Sequence, residues 1–152
     1  MHFCLGGLRS GAGHHVRYNG RECVAGQITH FEIYGGDPEK LAAFYSALFD
    51  WRMEQVEGFD YWRIHLDPAD PSKVGGGLTY RPRDETKGWL QFVSVESIDG
   101  SIALAEQMGA CVVRPKTAVP RTAWIAVLAD PAGNTFAIVQ PDPDAFPAPE
   151  PD

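Results

Sequence analysis

Between residues 28 and 141 the apolar positions follow two periods in turn, two residues and then about 3.6. "ITHFEIY" (28–34) alternates and predicts a strand with Phe31 and Ile33 on one side and His30, Glu32 and Tyr34 on the other. Asp37 then offers an N-cap side chain, and Pro38 suits the first helical position, where no N–H is needed. Leu41, Phe44, Tyr45 and Leu48 follow at i, i+3, i+4 and i+7, the spacing of one apolar helical face. Burying such side chains contributes about 1.5–3 kcal/mol each, so this helix is expected to cover a sheet. "WRMEQVE" (51–57) and "DYWRIHL" (60–66) predict two strands turned at Gly58, and "DPADPSK" reads as a loop. "VGGGLTYRP" (74–82) predicts a fourth strand whose glycines imply a bulge or a close backbone approach.

The second half repeats that order. "WLQFVSV" (89–95) is a predicted strand, and a helix is expected over about 98–108, with Ile98, Ile102, Ala105 and Met108 on one side and Gly109 ending it. "CVVRPKT", "AWIAVLAD" and "TFAIVQP" give three more strands, the last two joined by a turn at "DPAGN" (130–134). The order β-α-β-β-β thus occurs twice, which predicts an α+β fold of two βαβββ modules in tandem, neither able to bury its sheet alone. The expected organisation is a flexible Gly-rich extension (1–26), one domain (27–141, with modules at 27–82 and 88–141) and a Pro-rich acidic tail (142–152).

Composition narrows the function classes. Twenty Asp/Glu against thirteen Lys/Arg give a formal charge of −7, which disfavours nucleic acid as a partner and suits a neutral or cationic ligand. No run of about 18 apolar residues exists, so no membrane span is expected. "MHFCLGGLRS" lacks the basic and apolar regions of a secretory signal. Cys4, Cys23 and Cys111 are odd in number and far apart, which points to the reducing cytoplasm rather than to a disulfide framework or a structural zinc. Cys111, opening a strand, reads as a buried small hydrophobe. His14 and His15, adjacent in a Gly-rich segment, read as solvated. No GxSxG elbow, P-loop or HExxH motif is present.

"ITHFEIYGGDPEKLAAFYSALFDW", "GGGLTYRP", "LAEQMGACVV" and "DPAGNTFAIVQ" together resemble the vicinal-oxygen-chelate superfamily, over about residues 27–141. This superfamily includes glyoxalases, extradiol dioxygenases and bleomycin-resistance proteins. The resemblance implies curled mixed sheets around a cleft, and a homodimer. It also implies four metal-ligand positions, on the first and last strands of each module. These fall on His30, Gly77, Leu90 and Ala137, of which only His30 carries a donor. A catalytic zinc needs about three protein ligands, so neither a metal nor any other cofactor is expected.

Under that register the cleft would be lined by His30, Glu32, Thr79, Leu90, Phe92 and Ala137, a mostly apolar set with a few polar groups. His30 could serve as an acid or base oriented by Glu32, could hydrogen-bond a ligand, or could be a retained polar residue satisfied by Glu32. Trp62 and Trp124 are candidate stacking walls, the alternative being ordinary core packing. Arg63 and His65 project opposite to Trp62, but the strand itself does not tell which side faces the cleft. The expectation is a metal-independent cleft that binds a small organic compound, as bleomycin-resistance proteins do. The alternative is a glyoxalase-like lyase or isomerase using His30 and Glu32.

Overall fold

The computed structural model describes residues 15–18, 21–67, 69–70, 73–82 and 88–148. In chain order the elements are β1 (His15–Tyr18), β2 (Arg21–Val24), β3 (Ile28–Gly35), α1 (Pro38–Phe49), β4 (Arg52–Gln55), β5 (Tyr61–His65) and β6 (Gly75–Tyr80). They continue with β7 (Gly88–Ser94), α2 (Ile98–Gln107), β8 (Cys111–Val119), β9 (Ala123–Ala129) and β10 (Thr135–Pro141). Apart from the β1–β2 hairpin, the strands form one open sheet in the order β4-β5-β6-β3-β7-β10-β9-β8. In each module the first strand runs parallel to the last, β3 beside β6 and β7 beside β10. The two first strands pair antiparallel and join the modules edge to edge. The predicted duplication is therefore present as a single mixed eight-stranded sheet.

Both helices are capped from the sequence. Asp37 Oδ1 accepts from Lys40 N at 3.1 Å ahead of Pro38, and Ser97 Oγ accepts from Gly100 N at 3.1 Å. Gly109, at φ 96, follows α2 in the left-handed conformation that ends a helix. The buried stripe of α1 differs from the expected one. Phe44 and Leu48 are 56% and 58% exposed, whereas Pro38 and Ala42 are buried and Leu41 and Tyr45 pack on the core. Residues 38, 41, 42 and 45 also satisfy i, i+3, i+4, i+7, and the small Ala42 allows a closer approach to the sheet. Met108, expected on the buried side of α2, caps it and is exposed.

The apolar residues divide into three clusters. Phe31, Ile33, Ile64 and Leu78 pack under α1, and Ala126, Leu128 and Ile138 pack with Ile98 of α2. On the opposite face of the sheet Tyr34, Leu90, Phe92, Ala123, Val127, Ala137 and Val139 form a third cluster. This cluster runs from Tyr34 on β3 through β7 and β10 to Val127 on β9 and the flanking Val113 on β8.

Both chain ends carry more structure than the sequence suggests. Residues expected to belong to a flexible extension form the β1–β2 hairpin, with Val16 opposite Cys23. The following segment is fastened to β7: Gly26 N donates to Ser94 O at 2.7 Å, and the buried Ser94 Oγ donates to Val24 O at 2.7 Å. His14, like the rest of residues 1–14, lies outside the described residues. At the other end Asp142 N donates to Thr122 O, Arg121 N donates to Ala145 O, and Ala145 is buried. Cys111, expected inside, is exposed at the start of the edge strand β8. No helix among the described residues is long and apolar enough to cross a membrane.

Candidate functional site

Strand parity decides which side chains share the face opposite the helices. Phe31 and Ile33 turn under α1, so His30, Glu32 and Tyr34 take the other side of β3. On β5, Trp62 and Ile64 join the same helix-side core, which turns Tyr61, Arg63 and His65 towards His30. The cross-strand registers then set Glu54, Arg63, Gly77, Glu32 and Leu90 in one line, with Tyr61, Thr79 and Tyr34 in the next. The face is polar across the first module and apolar across the second.

At its centre stand three side chains. His30 Nε2 lies 2.8 Å from Glu32 Oε1, and the Tyr61 hydroxyl donates to the same oxygen at 3.0 Å while lying 3.5 Å from Nε2. A carboxylate oxygen accepts from an imidazole N–H, so in the neutral ring the short contact places the proton on Nε2 and leaves Nδ1 as the acceptor nitrogen. Nδ1 has no partner among the described residues. The His30 ring stands edge-on to Phe92 at 5.3 Å. With side chains 16% and 13% exposed, His30 and Glu32 are sheltered but open to a small solute. Glu32 Oε2 is buried and has no hydrogen-bond partner among the described residues.

Two further features bound the site. Burial, reinforced by the nearby Glu32 carboxylate and opposed by Arg114, holds the Tyr34 hydroxyl protonated above the usual tyrosine range. A cavity of about 460 Å³ lined by Tyr34, Gly35, Gly36, Tyr80 and Arg81 opens beyond the ends of β3 and β6. On β4 and β5, Glu54 Oε2 receives His65 Nε2 at 3.0 Å and Arg52 Nη2 at 3.2 Å.

The expected site residues separate. His30 and Glu32 come together as a hydrogen-bonded pair, and Phe92 stands against the His30 ring. Leu90 and Ala137 lie on the same face but are packed shut, 2% and 0% exposed, so they serve as floor. Thr79 is on this face too, its hydroxyl engaged with Asp60 O at 2.8 Å. Trp62 and Trp124 are not cleft walls. Trp62 packs under α1, and Trp124 packs with the α2 core, its Nε1 bonded to Asp142 Oδ2 at 2.9 Å and its ring beneath Lys116 Nζ. Both alternate with cleft-side neighbours, and the buried helix faces claimed their large apolar surfaces. Tyr61 is the residue that sequence reasoning missed. Its signal was parity: once Trp62 belongs to the core, Tyr61 must face the other way.

Residues 32–139 match the family of glyoxalase-like domains. The chain belongs to that family. It is one of the groups that share the vicinal-oxygen-chelate fold expected from the sequence. The glyoxalase-like chain is 27% identical over 118 residues to CFP32 of Mycobacterium tuberculosis and of Mycobacterium bovis, provisionally named a glyoxylase. The match takes in 78% of this chain and 45% of those proteins, so the chain spans about half the length of the curated relatives it matches. Among solved structures, methylmalonyl-CoA epimerase of Streptomyces coelicolor with 2-nitronate-propionyl-CoA superposes at TM-score 0.53 and 17% identity, over 81% of this chain and 99% of that one. An NAD-dependent benzaldehyde dehydrogenase structure from Legionella pneumophila gives 0.54 and 16%, over 74% and 98%. These likenesses establish the shared fold.

A divalent ion does not fit the four positions at which metal-binding members carry ligands. Leu90 and Ala137 offer no donor and are packed. At Gly77 the room for a side chain is already filled, since a Cβ there would overlap the Tyr61 hydroxyl and approach Glu32 Oε2 to 2.5 Å. Among the described residues no three His, Cys, Asp or Glu side chains gather elsewhere in a way that could hold a metal.

Proposed function

We propose that this glyoxalase-like domain binds a small organic compound on the polar face of its first module, without a metal, and anchors the compound's polar group at His30. The observation that carries this reading is the His30 Nε2–Glu32 Oε1 hydrogen bond, which leaves Nδ1 as an uncommitted acceptor beside the apolar edge of Phe92. A compound with one hydrogen-bond donor and a short apolar body suits that junction. The anionic surface and the absence of donors at Gly77, Leu90 and Ala137 support a carrier or sequestering role like that of bleomycin-resistance proteins.

The same hydrogen bond supports a second reading as a lyase or isomerase. A histidine oriented by a carboxylate, with its free nitrogen outward, is equipped to take a proton from carbon or oxygen. In that reading Nδ1 is the acceptor and Glu32 stabilises the imidazolium that forms. We further take the domain to work in the cytoplasm as a homodimer. Exposed Cys111 supports the reducing compartment, and Phe44, Leu48 and Phe49, exposed around the aromatic cluster of Tyr45 and Trp51, support self-association.

The test is a titration of protein carrying ¹⁵N-labelled histidine with a panel of small alcohols, amines, amides and α-hydroxy ketones. A binder should shift the His30 Nδ1 resonance saturably, and His30→Ala should abolish binding. Turnover of a bound member that is lost in His30→Ala selects the enzyme reading. Binders that leave the His30 resonance unmoved would remove His30 from the function altogether.

A further inference from the structure

The fourth strand of the first module reads Gly75-Gly76-Gly77, and β6 pairs with both neighbours without a bulge. Two of these glycines are approached closely by other side chains, Gly76 by the Phe31 ring and Gly77 by Tyr61. Tyr61 does not sit opposite Gly77 in the register; it pairs with Thr79, and Gly77 pairs with Arg63 on one side and Glu32 on the other. The tyrosine ring leans diagonally across β6, over the bare backbone of Gly77, and sets its hydroxyl on Glu32 Oε1 at 3.0 Å. Any side chain at 77 would occupy the space that the hydroxyl and ring tip now fill.

We infer that Tyr61 is a positioning residue for His30, acting through Glu32 in a niche that Gly77 leaves open. A glutamate two residues from a histidine on one strand has several rotamers, and most carry the carboxylate out to solvent. The Tyr61 hydroxyl selects the rotamer that folds back, because Oε1 then accepts from two donors at once. The second oxygen, Oε2, is pressed against Gly77 with no partner among the described residues, so it does nothing to hold the side chain there. The hold comes from Oε1, and Tyr61 supplies half of it. The consequence reaches His30: its Nε2–H stays bonded inward and Nδ1 stays free.

This inference rests on the His30 reading above, and the experiment separates the two. The full chain with ¹⁵N-labelled histidine is examined for the His30 Nε2–H proton and its exchange with water. Wild type should show a downfield, slowly exchanging Nε2–H. Tyr61→Phe keeps the ring and the fold, yet exchange should accelerate by about tenfold or more, the scale of losing a hydrogen bond to a charged group. Gly77→Ala, which must push the hydroxyl away, should do the same, and the double variant should exchange no faster than Gly77→Ala alone. If Tyr61→Phe leaves His30 exchange unchanged, Tyr61 is a bystander and the inference fails while the His30 reading stands. A wild-type protein with no protected Nε2–H would overturn both.

Discussion

Glu32 Oε1 receives the Nε2–H of His30 at 2.8 Å although the two residues are neighbours on one face of one strand. Side chains two apart on a strand project in parallel, about 6.5–7 Å apart at the backbone, so only a long, flexible carboxylate can fold back to the ring. Reach, more than charge, makes the pair.

Glu32→Asp is therefore expected to damage the site more than Glu32→Gln. The aspartate keeps the charge but withdraws it by one methylene, losing both His30 and Tyr61, whereas the glutamine keeps the reach and a carbonyl acceptor. For any compound found to shift His30, Glu32→Asp should weaken affinity by about tenfold or more, the scale of a lost charged hydrogen bond. Glu32→Gln should weaken it less. Isothermal titration of the two variants decides the matter, and the reverse order would mean that charge governs the site.

The neighbouring glycine makes a different demand. A Cβ at Gly76 would come within 2.5 Å of the Phe31 ring, and that ring is stacked on Trp89 at 5.2 Å and faces Trp51 at 6.2 Å. It has nowhere to retreat, so Gly76→Ala should cost about 1–3 kcal/mol by overpacking. Gly36 is the control: nothing lies within 4 Å of its built Cβ and its φ is not in the left-handed region. Gly36→Ala should be neutral or stabilise by about 0.4–1 kcal/mol through the unfolded chain. Urea midpoints of the two variants should move in opposite directions or differ by that margin.

The periodicities carried the fold. Period two on β3, β7 and β10, the cap at Asp37 and the turn glycines Gly58 and Gly109 are all readable, because each rests on local chemistry; the Ser97 cap of α2 is a finding of the structure. The stripe of α1 was misassigned because two overlapping i, i+3, i+4, i+7 sets exist, and only the packing distance to the sheet favours the one with Ala42. His30 and Glu32 were legible from parity on a single strand. Tyr61 was not, since its role depends on a diagonal reach over Gly77 from another strand, and glycine leaves no sequence trace of what fills its space. The cleft side of Trp62 and Trp124 likewise depended on which face the helices cover.

Tyr34 gives the alkaline limb of stability a buried source. An unfolded tyrosine loses its proton near 10, whereas burial beside Glu32 raises that value in the folded chain. A raised folded value means a contribution fully present below pH 10 that is lost as pH rises, because above 10 the unfolded chain can ionise and the folded one cannot. Wild type should therefore lose stability relative to Tyr34→Phe by up to about 1.4 kcal/mol per pH unit above 10, with parallel curves below it. Urea unfolding of both proteins between pH 8 and 11 measures the divergence, and curves that remain parallel to pH 11 would show the phenol free to ionise in the fold.

The segment after β10 supplies the last test, since it is docked where an extended tail was expected. Asp142 Oδ2 accepts the Trp124 indole N–H at 2.9 Å, Asp142 N donates to Thr122 O at 3.0 Å, and Ala145 O accepts from Arg121 N at 2.8 Å. Ending the chain at Pro141 removes all three and uncovers the site filled by Ala145. The stranded donors and acceptors should cost about 1–3 kcal/mol for each group that stays buried. Asp142→Asn keeps an acceptor for the indole and should retain most of the stability, which separates the loss of docking from the loss of charge. Thermal unfolding of the truncated chain at the wild-type midpoint would mean that these contacts contribute nothing, and that the strand pairing of β9 with β10 alone secures this end of the sheet.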